Sequence, residues 1–299
     1  MSLLVLGSLA LDTIETPTAS ASNVPGGSAS YAALAASYFS HPYIVGVIGT
    51  DFPEDIITLF KDHQIFLEGM ETEEGKTFAW GGQYSENFDE RTTLFTDLNV
   101  FENYKPTIPD TFKDAATILL ANIHPGLQLH LLDQLNGDGF VIMDTMNLWI
   151  NTAYDELMEV IGRSDLLLVN DEESLMLTSE RNYGKAAAKL MDMGPEWIVI
   201  KRGQHGALLF HKDQIFSVPA LILDEVIDPT GAGDSFAGAL AGYLDQSRDR
   251  SFDNMKLGIV FGTILASYCV ENISVDGVTY LEEADIEERY DELIMMSQF

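Results

Sequence analysis

An α/β fold, with a mostly parallel sheet and helices on both of its faces, follows from three features of this 299-residue chain. Short continuous apolar runs alternate with stretches of helical spacing, the pattern of strands buried on both faces by crossover helices. One interval, 77–101, breaks the alternation with polar, aromatic, β-leaning sequence and no helical period. Late in the chain a glycine-rich run, Asp228-Pro229-Thr230-Gly231-Ala232-Gly233-Asp234, opens a helix. The length suits one large α/β domain or two small ones, and a single domain over 1–299 is expected.

The elements read in order as follows. Residues 3–6 form a first buried strand. Residues 28–39, Ala-rich and helically spaced, follow Gly26-Gly27. Residues 44–48 are a strand and 53–63 an amphipathic helix with Pro53 near its start. Strands at 117–121, 140–144, 166–169 and 197–201 are separated by helices at 127–135, 153–161 and 183–193. Residues 207–210 and 214–218 read as a hairpin turning at His211, Lys212 and Asp213. An apolar, β-like stretch over 218–226 leads into the glycine-rich run, and 232–244 and 255–270 are long helices. The interval 77–101 carries turn signals at Gly81-Gly82 and Glu86-Asn87, and 13–23 is similarly short of helix signals. Surface loops would account for both, but a structureless loop of about 25 residues is uncommon in a compact domain.

Composition narrows the function classes. Hydrophobic residues make up 46%, enough for a large core. No apolar run reaches the length of a membrane span, and the first residues lack the basic n-region of a signal peptide. The single cysteine, Cys269, excludes an intramolecular disulfide and a Cys-rich zinc site, and it lies in an apolar helical stretch as a small hydrophobe would. These features fit a cytoplasmic protein. The net charge of -31 opposes binding to nucleic acid or to an anionic membrane, both of which need Lys and Arg. Solubility alone would also explain an acidic surface.

The glycine-rich run carries the chemistry. The first amides of a helix have no internal partner and face an anion, with the macrodipole adding to the pull. Glycine lets the backbone approach closely, and Asp234 follows within the first turn. An anion cradle beside a carboxylate suits phosphoryl transfer to a hydroxyl: the cradle holds the charge on the transferred group and the carboxylate takes the proton. The plainer reading is a helix start, with glycine at a tight turn and Asp favoured by the dipole.

The whole run resembles the C-terminal signature of the ribokinase family, the phosphofructokinase-B carbohydrate kinases. Further matches keep the family's order along nearly the whole chain: Gly7-Ser8-Leu9-Ala10-Leu11-Asp12 after the first strand, the di-glycine Gly26-Gly27-Ser28, Asn170-Asp171-Glu172-Glu173, and Val199-Ile200-Lys201-Arg202-Gly203 followed by Gly206-Ala207. The resemblance implies a ribokinase-like fold whose 13–23 and 77–101 segments form a small β lid over the sugar, a lid that often pairs between subunits of a homodimer. It implies ATP and magnesium, and a small polyol acceptor. Asp234 is then the catalytic base, and Gly231, Ala232 and Gly233 form the anion hole. Asp12, Gly26 and Gly27 are assigned to substrate. Asn170 and Glu173 serve magnesium through water. Lys201, Gly203 and Gly206 flank the nucleotide. For Lys201, a phosphate contact and an ion pair with a surface acid stand equal. Asp228 and Thr230 either face a monovalent cation such as potassium, as in some relatives, or make an Asp-Pro turn.

Most of these positions follow strand ends, where ligands bind in open parallel sheets. For Asp144 and Asn147 the preference of turns for polar residues is explanation enough. Many sugar-kinase relatives carry Asn three or four residues after the di-glycine, where this chain has Ser30 and Tyr31. Tyr31, Trp80 and Trp149 add aromatic surface on which a nucleobase would stack, or simply pack. A free sugar is slightly favoured as acceptor over a nucleoside. Arg91 is the one residue that would favour a phosphosugar. A dinucleotide-binding dehydrogenase is disfavoured because Gly-x-Gly-x-x-Gly does not follow the first strand, and no P-loop sequence is present. A silent ligand sensor on the same fold remains the non-enzymatic alternative, against which the retained Asp234 argues.

Overall fold

A computed structural model describes residues 3–88 and 90–298. In chain order it contains β1 (Leu3–Leu6), β2 (Ala10–Glu15), β3 (Ser20–Gly26), α1 (Ser28–Ser37), β4 (Pro42–Gly49), α2 (Glu54–Asp62), β5 (Phe66–Glu73), β6 (Phe78–Tyr84) and β7 (Arg91–Asp97). There follow β8 (Thr117–Leu120), α3 (Pro125–Leu132), β9 (Phe140–Asp144), α4 (Asn147–Thr152), α5 (Tyr154–Gly162), β10 (Leu166–Asn170), α6 (Asp171–Thr178), α7 (Tyr183–Met191) and β11 (Trp197–Lys201). The chain closes with β12 (Ala207–His211), β13 (Gln214–Val218), α8 (Ala232–Ser247), α9 (Phe252–Val270) and α10 (Glu283–Ser297).

The main sheet has the order β13-β12-β11-β10-β9-β8-β1-β4-β5. It is parallel from β11 to β5, and the hairpin β12–β13 is added antiparallel at one edge. Successive side chains of a strand point to opposite faces. Leu3 and Val5 of β1 therefore join one core with α1, α8 and α9, while Leu4 and Leu6 join another with α3, α5 and α7. Burial on both faces is why these strands read as unbroken apolar runs. The β-like stretch expected over 218–226 ends as a strand at Val218; the rest is irregular.

The two segments without helix signals meet in a second sheet of order β3-β2-β6-β7. It begins at Ala10, earlier than the sequence suggests, so Asp12 lies within strand β2 and not in a loop. The β2–β3 register shifts between Asp12 and Thr13. Such a bulge re-aims a side chain next to a site. At the base of this sheet Asp51 Oδ1 accepts the Thr77 amide and hydroxyl, both at 2.7 Å, and Asn99 Nδ2 donates to the Thr77 carbonyl.

Helices α1 and α8 lie side by side with their backbones almost touching. A Cβ on Gly238 would come within 2.0 Å of the Ala32 carbonyl oxygen, and one on Gly242 within 2.6 Å of that of Ala36. The four-residue spacing on both helices makes one continuous contact stripe. Gly238→Ala is expected to lower stability by about 1–3 kcal/mol through overpacking. Gly184→Ala is the control: its added methyl would meet only Asn182 Oδ1 at 3.4 Å. Denaturant midpoints of the two variants check this; equal midpoints would contradict the close backbone contact.

Candidate active site

The start of α8 is the turn that the resemblance assigns to an anion. Gly231 is its N-cap with φ 78°, and no side chain caps the end; of the first amides, that of Ala232 donates to the Pro229 carbonyl at 3.3 Å. Glycine is obligatory at 231: besides the positive φ, a Cβ would lie 2.3 Å from the Tyr31 ring. Tyr31 is fully buried in α1 under this turn. The expectation that its ring faces substrate is therefore corrected, because the side chain supports the turn from below. Gly233 has Lys201 Nζ 3.2 Å from the place a Cβ would take, so the ammonium lies beside the turn.

Lys201 ends β11 and donates to both carboxylate oxygens of Asp144, each at 2.8 Å. This ion pair is buried, not the surface pair that sequence reasoning weighed. Burial alone would lower the ammonium's pKa, but Asp144, Glu173 and Asp234 hold it above its ordinary value. Asp144 thus belongs to the site, although the end of an apolar strand gave no reason to prefer it over a turn residue. A signal was present two strands away, since a lysine ending a buried strand needs a partner.

Asp234 sits in the first turn of α8. Burial pushes its carboxyl up to about 7, with Asp144 adding to the rise and Lys201 and Arg91 opposing it. Asp12 is pushed up to about 7, first by burial, with the Gly27 amide opposing and Asp228 and Asp234 adding. Its Oδ1 is buried without a hydrogen-bond partner, an acceptor placed where a hydroxyl can donate. Gly26 and Gly27, which the resemblance assigns to substrate, are also close-packing positions. A Cβ on Gly26 would strike Asp12 Oδ2 at 1.9 Å, and one on Gly27, at φ 87°, would strike the Ser8 carbonyl at 2.4 Å. The di-glycine lets α1 begin hard against Asp12 and Ser8.

Asn170 and Glu173 form a reciprocal cap at the start of α6. Glu173 N donates to Asn170 Oδ1, and Asn170 N and Nδ2 donate to the two Glu173 oxygens. Burial pushes Glu173 up to about 7, opposed by Lys201. Among the described residues no three acidic, His or Cys side chains gather as a metal cage. Gly203 has φ 51° with open space where a Cβ would sit, as a nucleotide-facing position requires. Gly206 is a correction: its Cβ would lie 2.0 Å from the Val218 carbonyl, so it serves the β12–β13 crossing. Asp228 is fully buried and accepts Thr230 N at 2.9 Å and Ser274 N at 3.0 Å.

Beside the di-glycine runs a polar chain that sequence reasoning missed. Ser8 N donates to Ser28 Oγ, which donates to the Asn122 carbonyl. The Asn122 side chain accepts from Trp149 Nε1 at 2.8 Å, and Trp149 meets His124 edge-on at 5.1 Å. Trp80 instead lies under the Arg91 guanidinium, 5.2 Å from its centroid.

The structure brings Asp12, Asp234, the Asp144–Lys201 pair and the start of α8 together. The sequence matches the pfkB family carbohydrate kinases over residues 2–267. The chain belongs to that family. It is 31% identical over 270 residues to a cytidine kinase of Thermococcus kodakarensis, covering 87% of this chain and 94% of that one. The Methanocaldococcus jannaschii nucleoside kinase, described as an archaeal member of the ribokinase family, superposes with a TM-score of 0.76 at 18% identity, covering 97% and 98%. A candidate ribokinase II of E. coli, in complex with ATP and magnesium, gives 0.79 at 16% identity, covering 99% of each chain. The fold is ribokinase-like, and the chain is an ATP-dependent phosphotransferase acting on a sugar hydroxyl. Among the described residues no helix is long and apolar enough to cross a membrane.

Asp234→Asn is expected to keep the fold and lower kcat by about 100- to 10,000-fold. A base with a carboxyl pushed up to about 7 is protonated below that pH and active above it. The wild-type kcat/KM should therefore rise as pH climbs through about 7, with an apparent pKa shared among the linked carboxylates. A pH–rate series on both forms checks this; a flat profile from pH 5.5 to 8, or near-normal turnover of a folded Asp234→Asn, removes the base role.

Proposed function

We propose that the protein phosphorylates the primary hydroxyl of a nucleoside, with ATP as donor. The carrying observation is the Ser8–Ser28–Asn122–Trp149 chain, which ties an indole to the acceptor floor at the di-glycine. The ribose diol would donate to the unpartnered Asp12 Oδ1, and the base would stack at Trp149 and His124. The identity to a cytidine kinase over nearly its whole length supports this over a free sugar. The only cation in the small sheet is Arg91, which already lies over Trp80, so a phosphosugar lacks a ready clamp.

Asp234 takes the proton of the hydroxyl as its oxygen attacks the terminal phosphorus of ATP. The bond from that phosphorus to the bridging oxygen breaks, and ADP leaves. The Gly231–Gly233 amides hold the charge on the transferred group, with Lys201 beside them. Magnesium, when bound with the triphosphate, spreads that charge further. Glu173 keeps lone pairs beyond its cap to orient the metal's water, which fits an ion that retains its hydration shell. Gly203 lies open to the nucleotide. Asp228, a buried carboxylate with no Lys or Arg against it among the described ion pairs, draws a monovalent cation such as potassium to its loop. The small sheet acts as a lid within a single domain. Its outer strand β7 exposes Leu94, Phe95 and, just beyond it, Leu98, where a second copy would pair, a state read by sedimentation. One buried cysteine suits a reducing cytoplasm.

The test is a turnover screen with ATP and magnesium over cytidine, uridine, adenosine, ribose and fructose. A nucleoside should exceed ribose in kcat/KM by about 100-fold, the scale of losing a stacked ring. Ribose or fructose as the better acceptor overturns the nucleoside assignment. Glu173→Gln should raise the magnesium requirement more than the acceptor KM, and exchanging potassium for sodium should lower kcat. A change in acceptor KM alone would remove Glu173 from metal binding, and indifference to the cation would leave Asp228 as a turn residue only.

A further inference from the structure

The lid also reaches the catalytic turn directly. Tyr84 ends β6, and its hydroxyl lies 2.9 Å from Thr230 Oγ1. Thr230 is the residue before Gly231. Its amide donates to Asp228 Oδ1, and its carbonyl accepts from Cys269 Sγ at 3.4 Å. The main chain that delivers the anion-hole amides is thus held from below by α9 and the Asp228 loop, and from above by one side chain of the small sheet. The opposite end of β6 is anchored through Thr77 on Asp51.

We infer that Tyr84 is a positioning residue for phosphoryl transfer: its bond to Thr230 sets the turn carrying the Gly231–Gly233 amides, so the anion hole reaches transfer geometry only when the small sheet is seated. This rests on the reading that the small sheet closes over the acceptor. Closure that completes a catalytic constellation links acceptor binding to chemistry. With the sheet displaced, Thr230 loses this partner and the turn relaxes. Burial also pushes the Tyr84 phenol up, so it keeps its proton across the neutral range.

Tyr84→Phe removes only the hydroxyl. With cytidine as acceptor, kcat should fall about 3- to 10-fold, the worth of one net hydrogen bond, while acceptor KM stays within about twofold. Thr230→Val should do the same, the double variant should lose no more than either single one, and Thr230→Ser should keep wild-type turnover. In the unliganded protein, amide exchange over 229–235 should speed up in Tyr84→Phe while α5 stays protected. The exchange arm needs no acceptor, so it fails separately from the nucleoside assignment. Unchanged exchange over 229–235 in a variant with a wild-type melting temperature overturns the inference. So does a loss confined to acceptor KM, or additive losses in the double variant.

Discussion

The backbone contact between α1 and α8 is the constraint on which the site depends. Gly238 and Gly242 admit the carbonyls of Ala32 and Ala36 to distances that any side chain would forbid. Two helices held that closely cannot slide, so their first turns are fixed relative to each other. One begins at the di-glycine that packs on Asp12; the other begins at the turn that carries Asp234. Tyr31, three residues into α1, fills the space beneath Gly231 and transmits the register from one helix start to the other. The acceptor floor and the anion hole are thus one rigid unit. The small sheet is pinned near Thr77 and touches this unit again through Tyr84.

The electrostatics of the site oppose the ionisation of its own carboxyls. Asp12, Glu173 and Asp234 are each pushed up to about 7, with burial as the leading cause. A carboxyl whose folded pKa exceeds its unfolded value of about 4 contributes stability that is present below pH 4 and lost as pH rises through 7. At neutral pH these three groups therefore weaken the fold. Lys201 and Arg91 offset part of this, and a bound cation would offset more. Sites that tune pKa toward the working pH commonly carry this cost. A protein with 47 acidic and 16 basic side chains adds a general field that opposes every further negative charge. The buried Asp144–Lys201 pair keeps an ammonium beside the anion-hole turn within that field.

The sequence made the parallel sheet legible because strands buried on both faces are unbroken apolar runs, and β1, β8 to β11 and the hairpin fall within a residue or two of their expected places. The edge strand β5, with exposed polar residues and Gly69, lacks that signal and was missed, as were α4, α6 and the mostly exposed α10. Residues 218–226 failed in the other direction: an apolar run reads as a strand even where it only covers the core through Leu221 and Leu223. In the site, motif residues were found, but motif glycines do not declare their neighbours. Gly206 serves a strand crossing and Gly26 the seat of Asp12, distinctions visible only from what a Cβ would strike. Tyr31 shows the same limit, since helical spacing alone does not say which side of α1 its ring takes.

Partners far apart in sequence were the least legible. Asp144 and Lys201 are 57 residues apart, and Tyr84 and Thr230 are 146 apart. Neither pair has a local pattern; each is created by topology, which sets β9 and β11 on either side of β10 and folds the small sheet back over the start of α8. The two pairs meet the same turn at different residues. The Lys201 ammonium supplies charge at Gly233, and the Tyr84 hydroxyl supplies restraint at Thr230. Charge alone would attract the triphosphate in any lid position. Restraint at Thr230 fixes where the start of α8 stands relative to that charge.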